Sequence, residues 1–135
     1  MAKAVVFFAE GTEECEALLV VDLLRRAKVE VLVASASGSR EILSSHKVHI
    51  TADALAEEVD YSDVDLVVLP GGIPGTPNLA ANKTVTDTCV SFAKAGKKWS
   101  HSISLSKSVH LYFSQSALHF LFDNSPCPMQ HCSLL

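Results

Sequence analysis

The sequence lacks any run approaching the roughly 20 apolar residues that a membrane span needs, so no membrane partner is expected. It also lacks a basic excess: 11 Lys and Arg stand against 15 Asp and Glu, for a formal net charge of −4. Neutralising phosphates takes clustered cations, so nucleic acid is not an expected partner and a small molecule or a protein fits better. The four cysteines, Cys15, Cys89, Cys127 and Cys132, show no CxxC spacing. The opening MAKAVVFFAEGTEE has neither the long apolar region nor the small-residue cleavage site of a secretory signal. A cytoplasmic chain with reduced thiols is therefore expected, rather than a disulfide framework. What is present is a globular balance, 48% hydrophobic and 19% charged over 135 residues, enough for one domain and its core.

Residues 4–9, AVVFFA, form a short continuous apolar run rich in Val and Phe, the pattern of a strand buried on both faces of a parallel sheet. Over residues 13–27, Ala17, Leu18, Val20, Val21, Leu23 and Leu24 leave a polar face at Glu14, Asp22, Arg25 and Arg26, which predicts a helix. Glu13 and Glu14 in its first turn and Arg25 and Arg26 in its last suit the helix dipole. Residues 29–36 alternate and are β-branched, hence a second strand, and the short link before them fits a βαβ unit. Residues 41–53 read as two short strands in a hairpin or meander, DALAEEV as a brief helix, and VDLVVLP at 64–70 as a third buried strand. Residues 78–96 read as one helical stretch closed by Lys94 and Gly96.

This order predicts an α/β fold, an open and mainly parallel sheet with helices on both faces. Ligands bind such sheets outside the carboxyl ends of the strands, where strand order reverses. AEGTEECE and PGGIPGTPNL fall at two such ends. The glycines of PGGIPG serve either a plain Pro-Gly turn or the close approach of backbone N–H groups to a ligand.

Three motifs, EGTEECEA, VDLLRRAKVEVLVAS and DLVVLPGGIPGTPNLAAN, occur in that order and together resemble the DJ-1/PfpI family, in particular its DJ-1, ThiJ and YajL branch. The resemblance runs from about residue 3 to 96 and implies a flavodoxin-like sheet, here incomplete at the C-terminus. It implies an active site in which a cysteine on a strand-to-helix turn meets a glutamate and a glycine N–H that stabilises an oxyanion. The matching residues are Glu16 and Gly72, with Gly71 beside them. A protonated carboxyl beside the sulfur favours the reactive thiolate; taken alone, Glu16 also reads as a solvated first-turn glutamate. Arg26 matches a basic position that can hold an anion, although it equally suits the end of its helix. His46 stands where that branch often has arginine, a departure from the anion-binding pattern. No cofactor is implied. The substrates implied are small aldehydes or glycated thiols and amines, and a homodimer is implied as the assembly.

The resemblance stops where composition changes. The family continues with a strand and turn carrying the nucleophilic cysteine, and this chain has GKKWSHSISLS, with Ser102 or Ile103 at the nucleophile's place. From residue 97 onward serine is frequent, four of the six histidines appear, and Asp123 is the only acidic residue. The expected organisation is a partial family domain over residues 1–96 and a divergent Ser/His-rich tail over 97–135. Ser102 with His101 is a poor substitute nucleophile and base, because neighbouring strand residues face opposite ways. His110, His119, Cys127, His131 and Cys132 have no recognised zinc spacing, so no metal site is expected, and neither Cys127 nor Cys132 sits in a strand-turn-helix context. SHSISLSKSVHL alternates serine with larger residues, as a half-buried strand would, and ALHFLF reads as a further apolar element; the competing expectation, which the abrupt break favours, is a frameshifted, retained-intron or alternatively spliced end. Losing the nucleophile strand is expected to leave the strands at Val5 and Val67 with unpaired backbone or an exposed apolar face, and the product marginal or aggregation-prone. The functional expectation is a protein related to glyoxalase, protein deglycase and oxidative-stress proteins, without a nucleophile and so weakly active or inactive. The alternative is a non-catalytic variant acting as a binding or dimerisation partner.

Overall fold

The computed structural model describes residues 1–101. The chain runs β1 (Lys3–Phe8), α1 (Glu14–Arg26), β2 (Glu30–Ser35), β3 (Glu41–Leu43), β4 (His49–Thr51), β5 (Ala54–Leu55), a 3-10 turn (Ala56–Glu58), β6 (Leu66–Leu69), α2 (Gly75–Ala81), α3 (Lys83–Lys94) and β7 (Lys98–His101). Five strands form one sheet in the order β5-β2-β1-β6-β7, with parallel pairing throughout. The β3–β4 hairpin is a separate antiparallel pair.

β1 shows why its sequence is apolar without alternation. Ala4, Val5, Val6, Phe7, Phe8 and Ala9 are all fully buried. Val5, Phe7 and Ala9 pack with Leu79, Val85, Cys89 and Phe92 of α2 and α3. Ala4, Val6 and Phe8 pack with Ala17 and Val21 of α1 and with Ile42 of the hairpin. One strand therefore supplies both cores, one on each face of the sheet.

Three expectations are corrected by the observed elements. The helical stretch expected over 78–96 is two helices, because Asn82 is extended (ψ 118°) and its side chain caps the second by accepting from Val85 N–H at 3.1 Å. DALAEEV is not one helix: Ala54 and Leu55 form β5 in the ladder beside β2, the Asp53 carboxylate before them accepts from Val33 N–H at 2.9 Å, and only a 3-10 turn follows. Most consequentially, a strand does follow Gly96. Residues 98–101 form β7 with the register Leu66↔Lys98 to Leu69↔His101, and β1 is paired on both sides, so Val5 and Val67 lack no neighbour. Gly96 at φ +64° turns the chain out of α3. Lys97 Nζ then anchors it by donating to Ser62 O at 3.2 Å and Val64 O at 3.0 Å, and Trp99 packs on the α3 side of the sheet.

Phe92 joins α3 to the sheet and is 3% exposed. Phe92→Ala is expected to cost about 3–5 kcal/mol through lost burial and a residual cavity, read as a lowered urea midpoint with an intact far-ultraviolet circular dichroism spectrum at zero urea.

Candidate functional site

The loops after β1 (residues 9–13) and β6 (residues 70–74) leave the carboxyl ends of adjacent parallel strands. From β1 the sheet grows to β2 on one side and to β6 on the other, so this is the point where strand order reverses. The two loops are joined backbone to backbone: Glu13 N–H donates to Gly71 O at 2.9 Å and Gly75 N–H to Gly11 O at 3.1 Å. Gly72, at φ +115°, has no room for a side chain, since a Cβ would lie 2.4 Å from Glu13 N and 2.6 Å from Gly11 O. A Cβ on Gly75 would lie 2.6 Å from Thr12 Cα. The glycines of PGGIPG are thus required first by contact between the loops. Thr12, fully buried, holds the first loop by accepting from Ala9 N–H on Oγ1 at 2.9 Å.

Glu13 is the N-cap of α1 and accepts from Glu16 N–H at 2.7 Å. Capping fixes the first helical turn and points the Glu16 carboxylate at the second loop, where Oε2 accepts from Gly71 N–H at 3.1 Å. Glu16 is thus tied to the glycine loop and is not a merely solvated first-turn residue. Gly71 donates to Glu16, whereas Gly72 N–H donates to no group among the described residues. Arg26 is not brought here. It lies at the far end of α1, roughly 15 Å from Glu16 at about 1.5 Å rise per residue, and pairs with Asp22 at 2.8 Å.

The turn of the β3–β4 hairpin closes on the start of α1, a contact that sequence reasoning missed. Ser45 N–H donates to Thr12 O at 3.0 Å. Ser45 Oγ donates to Glu14 Oε2 at 3.0 Å, and His46 Nδ1 lies 2.8 Å from Glu14 Oε1. Burial opposes ionisation of Glu14, but hydrogen bonds from its own N–H, Ser44, Ser45 and the His46 N–H together hold its carboxyl down at about 2. The one sequence signal for this contact was the unusual His46.

Of the cysteines in the described residues, Cys89 faces the core from α3 and burial pushes its thiol up to about 12. Cys15 is exposed on α1. Ser102, Ile103, His110, His119, Cys127, His131 and Cys132 lie outside the described residues; His101 ends β7. A groove bordered by Tyr61, Asp87, Phe92 and Lys97 opens near the amino ends of β6 and β7, away from the glycine loops. Among the described residues no helix is long and apolar enough to cross a membrane.

An open parallel sheet with a glutamate-anchored glycine loop at its switch point defines a flavodoxin-like α/β protein. Within that class the chain belongs to the DJ-1/PfpI family, whose sequence profile matches residues 2–111. That match continues past the composition change at residue 96. The chain is 37% identical over 91 residues to Protein DJ-1 homolog B of Arabidopsis thaliana, covering 67% of this chain and 21% of that protein. It is 36% identical over 86 residues to the Parkinson disease protein 7 homolog of Danio rerio, covering 63% of this chain and 46% of that protein. It thus spans less than half the length of either. Among solved structures it is similar to a DJ-1 superfamily protein from Salmonella typhimurium, with TM-score 0.77, 34% identity and coverage of 90% of this chain and 62% of that one. Drosophila melanogaster DJ-1beta gives TM-score 0.76 and 31% identity, covering 84% of this chain and 60% of that one.

Brief alkylation of native protein with iodoacetamide at pH 8, followed by peptide mass spectrometry, is expected to modify Cys15 and spare Cys89 until the chain is denatured. Equal labelling of both in native protein would contradict the packing of α3.

Proposed function

We propose that the chain keeps the acid and oxyanion half of a DJ-1-type aldehyde site and lacks its nucleophile, so that it is inactive or only weakly active as a glyoxalase or deglycase. The observation that carries this reading is the Glu16 to Gly71 hydrogen bond beside the Gly72 N–H. In the chemistry that the family resemblance implies, a thiolate adds to an aldehyde carbon to give a hemithioacetal, Glu16 moves the proton, and the Gly72 N–H stabilises the oxyanion. Neither described cysteine is suited to that step: the Cys89 thiol is buried in the core, and Cys15 is an exposed residue in the first turn of α1, not at the nucleophile's place in the family pattern. The place of the nucleophile falls on Ser102 or Ile103. In this reading, residues 1–96 are the family-like working part, residues 97–135 a divergent tail, and the setting is cytoplasmic defence against oxidative stress.

A second reading, a binding or dimerisation role, is favoured by α1. Its inner face buries Ala17 and Val21, yet Leu18, Leu19 and Leu23 are 41%, 58% and 52% exposed on the outside. A helix apolar on both faces is suited to a partner surface, and a second copy of the chain is the partner this reading takes.

Methylglyoxal consumption by purified protein, beside Glu16→Gln, tests the first reading. The expected result is no turnover above background for either protein; turnover that Glu16→Gln abolishes would mean that a nucleophile is present after all. Sedimentation analysis tests the second: a dimer that Leu19→Asp converts to monomer is expected, and a wild-type chain monomeric at 100 µM would remove it.

A further inference from the structure

We propose that Glu13, Glu14 and His46 bind a divalent transition-metal ion at the rim of the glycine loops. The donors come from two segments, the cap and first residue of α1 and the turn of the β3–β4 hairpin, and one ligand atom from each lies within 4.8 Å of the others. Two ligands on a tetrahedral zinc, each at about 2.0–2.1 Å from it, stand about 3.3–3.4 Å apart. The separations from His46 Nδ1, 2.8 Å to Glu14 Oε1 and 3.8 Å to Glu13 Oε1, bracket that value. His46 Nδ1 also lies 3.1 Å from Ser45 Oγ, a contact the ion would replace, and the 72% exposed imidazole leaves the open side of the site to water ligands.

The carboxylates are held in a way that suits an ion. Glu13 Oε2 accepts from Glu16 N–H at 2.7 Å, leaving Oε1 towards His46. Glu14 Oε2 accepts from Ser45 Oγ at 3.0 Å and from His46 N–H at 3.4 Å, leaving Oε1 towards the same imidazole nitrogen. Ser44 and the Glu14 N–H add further hydrogen bonds to the Glu14 carboxylate, so both carboxylates are held in place from outside the donor set, as outer-shell hydrogen bonds arrange at metal centres. Both are shielded, with side chains 22% and 12% exposed, and among the described residues no Lys or Arg forms an ion pair with either. Adjacent carboxylates in that setting repel, and a divalent cation relieves the repulsion.

Two acidic residues at a helix start would not make this site alone, because the helix dipole opposes a cation there. The imidazole nitrogen is what changes the chemistry. A mixed set of one nitrogen and two carboxylate oxygens favours zinc, cobalt or nickel over magnesium or calcium, which take oxygen alone. The site is independent of whether the chain carries a thiol nucleophile.

The test is a titration of the isotopically labelled full chain with Co2+, followed by amide resonances. Amides of residues 13–16 and 44–48 are expected to broaden first and to recover when Zn2+ displaces the cobalt. His46→Arg keeps a cation over the carboxylates but removes the ligand, and is expected to weaken cobalt binding at these amides by at least about tenfold. Glu13→Gln is expected to act likewise, and His49→Gln, on the exposed edge of β4, to have no effect. Because His46 is exposed, His46→Arg is expected to keep the wild-type spectrum away from the turn, so loss of binding is separable from loss of fold. No broadening at these amides, broadening confined to other histidines or cysteines, or broadening here that His46→Arg leaves unchanged would each overturn the proposal.

Discussion

The constraint on which the rest of the site depends is the backbone contact between the loops after β1 and β6. Glu13 and Gly75 donate across it, and Gly72 stands where a side chain would overlap the opposite backbone. Because both loops leave adjacent parallel strands, the contact fixes the start of α1 relative to the glycine loop. That in turn places the Glu16 carboxylate within hydrogen-bond distance of Gly71. A fixed donor and acceptor pair at a strand switch point is preorganised, and preorganisation is what a site of this kind contributes to chemistry. The same constraint explains why the hairpin turn reaches Glu14: Thr12, held by its own turn, presents its carbonyl to Ser45.

The sheet supports this arrangement through β1, which feeds two cores. Val5, Phe7 and Ala9 hold α2 and α3, and Ala4, Val6 and Phe8 hold α1. A change on either face of β1 would be transmitted to its carboxyl end, where the first loop begins, because close-packed interiors transmit strain. Structure and site are therefore coupled through one six-residue strand.

Much of this was legible in the sequence. The uninterrupted apolar run of β1 and the periodic stripe of α1 announce their environments, and the hairpin follows from two short strands around SSHK. The motifs placed Glu16 and Gly72 together, and the backbone joins their neighbourhoods. The rest was not legible because it depends on contacts distant in sequence. Asn82 breaks a helical pattern because it caps α3 and donates to Ala36 O, residues that no local window connects. Asp53 is drawn beside β2 by Val33. Arg26 matched a motif position, but a helix carries it away from Glu16, so a match in sequence did not become proximity within the chain. His46 registered only as an odd residue, because its relation to Glu14 exists only once the hairpin has folded onto α1.

The composition change after residue 96 does not interrupt the sheet. Among the described residues β7 is paired on one side, which asks for backbone pairing there and an apolar residue facing a core, and KWSH meets that need with Trp99 and four paired positions. Its other residues are largely exposed where described, so Lys and Ser cost little there. The fold continues across the junction because backbone pairing is generic and asks of the sequence only one apolar residue on the core side.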